Sequence, residues 1–528
     1  MRFDTDSDND YDTERELMHE RIDIHCEKSD MKNYLILLFV LYLSFLSTLN
    51  AEEPALPEGL GGGEAKKEEP ALPSGLAGES EKNRDEPGLP PGLESKGDPA
   101  LPEGLGNEQA SKKQPKSNPE YPSLLEEIPI DITGFWDTRF GGRLQEDRHQ
   151  RQVSIGETRL QVEMEKGKPG VLLRGVIDFV FDPVLEKYRA DLEAGKGWLD
   201  IRELNMTLTP FSFMDLKLGR QILTWGTGDM IFINDMFPKD WQSFFIGRDE
   251  EYLKAPSDAL KSSFFSPVVN LDFIVSPKFD SDRYIRGERI SYWNSLLGRR
   301  AGRNDPFRVR EQDEWFDDYE YSWRLYRNIS GRELALYGYR GFWKSPGGFD
   351  SRTLAVIFPR LAVYGASLRA TLLGGIGNVE AGYYDSMDDR KGDDPFVNND
   401  ELRFLIGYER ELMKDFTGAF QYYVEYMMDY EEYQDSLPPG TNARDELRHV
   451  ITVRLTRRLM NQDMNVSLFA YASPSDMDAY LRPRIHYKFS DRLAGEIGGN
   501  VFAGDDDHTF FGQFEKNTNL YAAIRLYF

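Results

Sequence analysis

Basic side chains recur at even-numbered spacings, of two, four or six residues, in segments near the C-terminus. The basic residues with this spacing are Arg448, Arg454 and Arg458 in one segment, Arg482, Arg484, His486 and Lys488 in a second, and Arg525 in the last. Side chains two residues apart lie on the same face of a β-strand. The spacing therefore predicts a basic face, which could bind anions or line a water-filled passage.

Carboxylates of the N-terminal half are predicted to face the same interior, and they leave two interpretations open. These residues are Glu157, Glu163, Asp178 and Glu203. In one interpretation they pair with the basic residues across a filled interior and hold it in shape. In the other, the two sets produce a transverse field that orients solutes and favours anions. We favour the field, because few acidic residues accompany the basic ones.

The same residue types do not form a pattern typical of catalysis or metal binding. The six histidines are scattered without ligand spacing, and the only cysteine is Cys26. We predict no catalytic residues, no metal site and no cofactor. The formal net charge of -26 argues against a nucleic-acid partner, since phosphate binding requires a basic surface.

The elements that position these residues are predicted to be strands of a barrel. In the last segment, Leu520, Ala522, Ile524, Leu526 and Phe528 alternate with more polar residues. The pattern predicts an all-β fold, a single-chain transmembrane antiparallel β-barrel of about 18 strands, or about 16 if the weak segment 318–328 and one partner are lost. The predicted strands span 130–142, 151–164, 171–182, 198–209, 213–222, 258–265, 268–277, 318–328, 332–343, 360–371, 376–386, 401–411, 415–428, 446–459, 464–473, 478–489, 492–503 and 518–528. Short connections alternate with long ones, as in outer-membrane barrels.

The chain before the barrel is predicted to consist of three segments. Residues 1–30 are acidic, which suggests a gene-model extension, and residues 31–51 are typical of a secretory signal peptide. Residues 52–119 repeat a Pro-x-Leu-Pro-x-Gly-Leu unit four times and are predicted to form a disordered linker. The repeats are either a periplasmic spacer or weak sites for a periplasmic or cell-wall partner. The barrel is assigned to residues 120–528.

Two long loops are unusual. Loop 223–257 carries more apolar surface than a loop in water requires, and we predict a constriction of the lumen or an external lid. Its candidate residues are Trp225, Asp229, Asp235, Phe237, Trp241 and Phe244. Loop 278–317 is rich in Arg, Asp and Glu, and we predict that it is surface-exposed and partly helical.

A group of residues around the first of these loops resembles porin-like outer-membrane proteins of the alginate-export type and their uncharacterised relatives. The matching residues are Arg202 and Glu203 in one strand, Gly219, Arg220 and Gln221 at the end of the next, and then Trp225 and Gly226. The resemblance implies an 18-stranded pore with a positively charged interior. It does not extend to polyuronate-binding residues, so no substrate is implied. Arg220 has lipid-facing parity, from which we expect a bulge at Gly219 or an earlier strand end.

These observations predict an outer-membrane porin for passive or selective diffusion of small, anionic solutes. An exopolysaccharide export channel and a plugged barrel that acts as scaffold or receptor are the alternatives. The predicted partners are outer-membrane lipid and the barrel-assembly machinery, which would bind the C-terminal strand. The predicted location is the bacterial outer membrane, with the linker in the periplasm.

Overall fold

The computed structural model describes residues 130–185 and 189–528. The predicted extension, signal peptide and repeat linker therefore lie outside the described residues. Within the described part, no helix has the length and apolarity needed to span a membrane.

Eighteen long strands form one sheet, in segments that agree with the predicted ones to within a few residues. They are β1 (Asp131–Arg143), β2 (Val153–Lys168), β3 (Val171–Phe181), β4 (Leu199–Phe211), β5 (Met214–Ile222), β6 (Pro256–Phe264), β7 (Asn270–Ser276), β10 (Glu320–Ile329), β11 (Arg332–Phe342), β14 (Arg360–Leu372), β15 (Gly375–Ser386), β16 (Glu401–Met413), β17 (Phe416–Met427), β18 (Leu447–Leu459), β19 (Met464–Ser473), β20 (Asp478–Ser490), β21 (Leu493–Gly504) and β22 (Asn519–Tyr527).

The sheet closes on itself, because β1 pairs with β2 on one side and with β22 on the other. Every strand pairs antiparallel with its neighbours, and β7 pairs directly with β10. In the closing pair, Phe135 lies opposite Tyr527 and Asp137 opposite Arg525. The predicted closed antiparallel barrel is confirmed, with 18 strands rather than 16.

The two faces of the strands differ in polarity as the alternation predicts. In β22, Leu520, Ile524 and Leu526 are exposed on the outside, while Tyr521 and Ala523 are buried inside. The outer surface elsewhere also exposes large apolar side chains such as those of Trp136, Phe140, Leu218, Leu336, Ile406 and Ile497. Such a surface is suited to hydrocarbon and would be costly in water.

One end of the barrel carries short turns, and we call it the short-turn end. Ser330-Gly331 joins β10 to β11, and Leu373-Gly374 joins β14 to β15; all four residues have positive φ. This is the type I′ geometry that matches the twist of antiparallel strands. The other end, the long-loop end, carries the connections 223–255, 277–319, 343–359 and 428–446.

The four long loops contain four short strands, two short α-helices and the 3-10 helix Glu250–Leu253. Strands β8 (Tyr292–Asn294) and β9 (Arg299–Ala301) pair with each other, as do β12 (Gly348–Asp350) and β13 (Ala355–Ile357). The helices are α1 (Trp241–Ile246) and α2 (Tyr430–Ser436). Loop 278–317 therefore contains a hairpin and not the expected helix. It is also not simply surface-exposed, because Phe279, Tyr284 and Ile290 are buried.

Candidate functional site: the inward loop and the barrel interior

Loop 223–255 folds into the barrel, and Arg202 of β4 helps to hold it there. In β4 the register shifts between Ile201 and Glu203, so Arg202 is an extra residue whose side chain is buried. Its guanidinium donates to the carbonyl oxygens of Glu251 and Lys254, and stacks 4.4 Å from the ring centroid of Tyr252. Arg202 therefore fixes the returning end of the loop.

The expectations for Arg220 were both wrong. Gly219 has φ 117°, but the register of β5 does not shift there and the strand continues to Ile222. Arg220 keeps the outward parity of Leu218, and its guanidinium lies 3.2 Å from Asp258 and 3.7 Å from Glu193. The charge is tolerated because these residues at the long-loop end cover and neutralise it. Gln221 faces inward and donates to the carbonyl of Ala259.

Trp225 and Gly226 mark the point where the chain turns into the barrel. Trp225 is buried against Phe237, with ring centroids 5.0 Å apart, and against Tyr337 at 6.2 Å. Gly226 has φ 83°, and a Cβ there would lie 2.9 Å from the carboxylate of Glu380. A larger residue would therefore be strained and would also displace the carboxylate.

Glu380, on the inner face of β15, clamps the start of the loop. Its carboxylate accepts hydrogen bonds from the backbone N–H groups of Thr227, Gly228 and Asn234, and from the side chains of Thr227 and Asn234. The side chain is almost completely buried. Glu380 was not among the predicted residues, and its only signal in the sequence is an isolated carboxylate at inward parity in its strand.

Helix α1 carries the apolar part of the loop onto the inner wall of the barrel. Asp240 caps its first turn by accepting from the Ser243 N–H at 2.7 Å. Phe244 and Phe245 are buried, and each packs edge-on against Tyr480 with centroids 5.6 and 5.3 Å apart. Of the other candidate loop residues, Asp235 pairs with Lys239 at 3.0 Å. The aromatic loop thus lies inside the barrel, with its rings against the wall.

Carboxylates of the same loop meet the C-terminal arginines on the side of the loop that faces the short-turn end. Asp229 lies 2.6 Å from Arg454, and Glu250 lies 3.2 Å from the same guanidinium. Glu250 also approaches Arg482 at 3.9 Å. These side chains, except that of Arg482, retain partial exposure, so water reaches them.

Asp249 forms the densest of these contacts, with Arg484 at 3.5 Å and Arg525 at 3.3 Å. Burial alone would raise the pKa of Asp249, but Arg484 and Arg525 hold it at about 2. Each arginine has a further carboxylate partner. Arg484 contacts Glu496 at 2.6 Å, and Arg525 contacts Asp137 at 2.9 Å. The expectation that few acidic residues accompany the C-terminal basic residues was therefore wrong. Strand parity predicts which face a side chain occupies, but it does not reveal a loop that folds onto that face.

The remaining basic candidates do not join this group. Arg448 pairs with Asp476 at 2.6 Å near the long-loop end. Arg458 and Lys488 are exposed at the short-turn end, where Lys488 pairs with Asp491. His486 is partly buried on the same face as Arg484. The eight predicted residues share an inner face but are spread along the barrel axis.

The predicted acidic residues pair with basic residues of their own half of the barrel. Glu157 contacts Arg159 at 2.7 Å and Arg248 at 2.5 Å, and Asp178 contacts Arg159. Glu163 and Glu203 share Arg174 at 3.1 and 3.3 Å, and Glu203 also contacts Lys217. The predicted acidic residues are therefore neutralised by basic residues of the N-terminal half and of the inward loop, and not by the C-terminal arginines.

A further group of carboxylates lies near Arg220. Oxygens of Glu193, Asp258 and Asp280 come within 4.8 Å of one another. Arg220 pairs with Glu193 and Asp258, and Lys278 pairs with Glu193 at 3.4 Å. Two protein cations already offset the negative charge of this group.

A cavity of 1170 Å³ lies on the other side of the inward loop, towards the long-loop end. The loop forms its floor through residues that include Phe232 and Trp241. Inner faces of β15 to β18 and several long loops form its wall and rim. The loop therefore separates this cavity from the charged contacts of Asp229, Asp249 and Glu250.

No protein-family model matches the chain, and no curated protein is similar to it in sequence. Among solved structures, OccAB3 of Acinetobacter baumannii shares 10% identity at a TM-score of 0.45, covering 76% of this chain and 99% of that one. OccK3 (OpdO) of Pseudomonas aeruginosa shares 11% identity at a TM-score of 0.44, covering 76% and 95%. A mutant of the Rh. blastica porin shares 11% identity at 0.34, covering 76% and 100%. The fold assignment rests on the strand pairing itself, and the resemblance to the alginate-export type stays a prediction.

Proposed function

We propose that the protein is an outer-membrane channel for small hydrophilic solutes, with its narrowest part at loop 223–255. The observation that carries this proposal is that the loop crosses the interior and meets water on both sides. The cavity lies on one side, and part-exposed ion pairs of Arg454 and Arg484 lie on the other. A loop held between two aqueous spaces is the arrangement that a selective constriction requires.

We further propose that the channel prefers anions. The ion pairs of the constriction determine how strong this preference is. Asp249 and Glu250 neutralise much of the positive charge of Arg454, Arg484 and Arg525. An anion entering the constriction must compete with these carboxylates. We therefore expect a weak preference for anions in the native protein.

Ion selectivity tests this proposal. In a planar bilayer with a salt gradient, the full chain should produce conductance steps with a reversal potential slightly on the anion side. Asp249→Asn with Glu250→Gln should shift the reversal potential further towards anions, because the arginines lose their partners. The matched control is Asp313→Asn with Glu314→Gln, in an exposed stretch of loop 277–319. Cation selectivity that the double variant leaves unchanged would contradict the proposed constriction.

The plugged barrel is the second candidate, and the burial of α1 favours it. Phe244, Phe245 and Ile246 are 1–2% exposed and pack on residues of several strands. A loop held this firmly could close the barrel altogether. Absence of conductance in the native chain, together with conductance in a variant whose loop is shortened, would support a barrel plugged by this loop.

A further inference from the structure

The floor of the cavity at the long-loop end is aromatic. Phe232 and Trp241 are only partly buried there, and their ring centroids lie 6.2 Å apart at an interplanar angle of 65°. The Trp241 indole N–H donates to Asp282 at 3.1 Å. Since its only polar atom is already bonded within the protein, the indole can offer the cavity only its carbon surface.

The rim adds more aromatic surface. Trp293 and Phe510 both line the cavity, and Phe510 is exposed. The guanidinium of Arg448 lies 5.0 Å from the Phe510 ring centroid. Aromatic surface thus lines both the floor and the rim of the cavity.

The wall between them presents charged groups that are already paired. Arg403 contacts Glu401 at 2.5 Å and Glu425 at 3.6 Å, and Arg444 contacts the same two carboxylates at 3.2 and 3.4 Å. Arg448 contacts Asp476 at 2.6 Å. The two lysines of the lining, Lys239 and Lys344, are likewise paired, with Asp235 and Glu320.

This pairing decides which ligand class the cavity suits. An anion would have to break a protein ion pair to reach a cation, and the lining also contains Asp445, Asp505 and Asp506. A ligand without charge can instead share the unused lone pairs of carboxylates and the remaining N–H groups of guanidiniums. Its hydroxyl groups would bridge each pair without separating it.

We infer that this cavity binds a neutral oligosaccharide. A sugar ring has a face of C–H groups that packs on an aromatic surface and a rim of hydroxyl groups that bond to charged side chains. Both requirements are met within one cavity, by Trp241 and Phe232 below and by Arg403, Arg444 and Glu425 beside them. The 1170 Å³ exceed the roughly 300–1,000 Å³ typical of small-ligand pockets, which favours several sugar rings over one.

The inference goes beyond the proposed channel, because the site would exist whether or not the barrel conducts. Binding and conductance can therefore be measured separately on one preparation. A chain that binds sugar without conducting would support the site and contradict the channel. A chain that conducts without binding would do the reverse.

The test is calorimetric titration of the full chain in detergent micelles with maltotriose, cellotriose and triacetylchitotriose, with trigalacturonate as the anionic comparison. At least one neutral trisaccharide should bind saturably and more tightly than trigalacturonate. Trp241→Ala should weaken that binding about tenfold, or about 1.4 kcal/mol, through loss of a stacking contact. Phe232→Leu is the second variant, because it keeps apolar volume and should leave the loop folded.

The matched control is Trp315→Ala, since Trp315 is exposed and is not part of the cavity lining. This variant should bind as the native chain does. The inference is overturned if none of the three neutral sugars binds, or if trigalacturonate binds most tightly. It is also overturned if Phe232→Leu and Trp241→Ala both bind like the control.

Discussion

Glu380 is the residue on which the position of the inward loop most depends. One carboxylate accepts five hydrogen bonds from Thr227, Gly228 and Asn234, all within a buried site. An amide in its place would turn an NH₂ group towards several of these donors. Glu380→Gln should therefore destabilise the docked loop by on the order of 2 kcal/mol, since hydrogen bonds to charged groups contribute about 1.5–3 kcal/mol each.

Limited proteolysis measures this effect, because release of the loop exposes the bonds between residues 226 and 250. Glu409→Gln is the control, since Glu409 is exposed near the short-turn end of β16. The clamp would be disproved if the Glu380 variant were cleaved no faster than the control.

Asp280 gives loop 277–319 a dependence on pH. Burial raises the pKa of this carboxyl to about 7, although a hydrogen bond from Ser257 opposes the shift. The folded loop therefore holds a proton between pH 4 and pH 7 that the unfolded chain has lost. The stability of the loop should fall by on the order of 1.4 kcal/mol per pH unit as pH rises from 4 to 7. Above pH 7 it should level off, because the carboxyl is then ionised in both states.

Thermal unfolding of the native chain and Asp280→Asn across this range measures the contribution. The amide cannot ionise, so the variant should lose most of the slope. Asp313→Asn, an exposed position in the same loop, should keep it. An equal slope in all three proteins would assign the pH dependence to other groups.

At the scale of elements, the sequence was sufficient for the strands and insufficient for the loops. Each predicted strand exists, because alternation reports one local property, the polarity of the two faces of a strand. The weak segment 318–328 is the regular strand β10, which pairs with both β7 and β11. Trp323 faces outward and Arg324 inward, as the alternation predicts, but Arg327 has outward parity, and this charge on the apolar face weakened the signal.

The loops were harder because their contacts join distant parts of the chain. Asp249 lies hundreds of positions from Arg484 and Arg525, and no period relates them. Glu380 and Asn234 are 146 positions apart, and no period relates them either. The composition of loop 223–257 did indicate that it would leave the surface, because its seven aromatic residues need apolar surroundings. It could not indicate which arginines the loop would neutralise.

At the scale of the whole molecule, the outer surface determines the environment of the barrel. Ile524 is exposed on the outer face near the middle of β22, opposite Thr138 and Gly495. Ile524→Arg should therefore reduce folding stability in lipid vesicles by about 2–4 kcal/mol, the cost of an arginine at the bilayer midplane.

Ile132→Arg provides the depth control, because Ile132 lies on the same face at the short-turn end. Its cost should be about 0–1 kcal/mol. Urea titration of tryptophan fluorescence in vesicles measures both variants. If both variants lost the same folding stability, the result would contradict the placement of the outer face in a bilayer.

Our central proposal is that loop 223–255 sets the width of a water-filled passage through the closed barrel. The most direct measurement is single-channel conductance of the full chain beside a variant in which residues 228–252 are replaced by a short Gly/Ser linker. The native chain should give small, stable steps, and the variant should give steps several-fold larger because its aromatic obstruction is gone. Steps of equal size in the two proteins, or no steps in either, would contradict the claim.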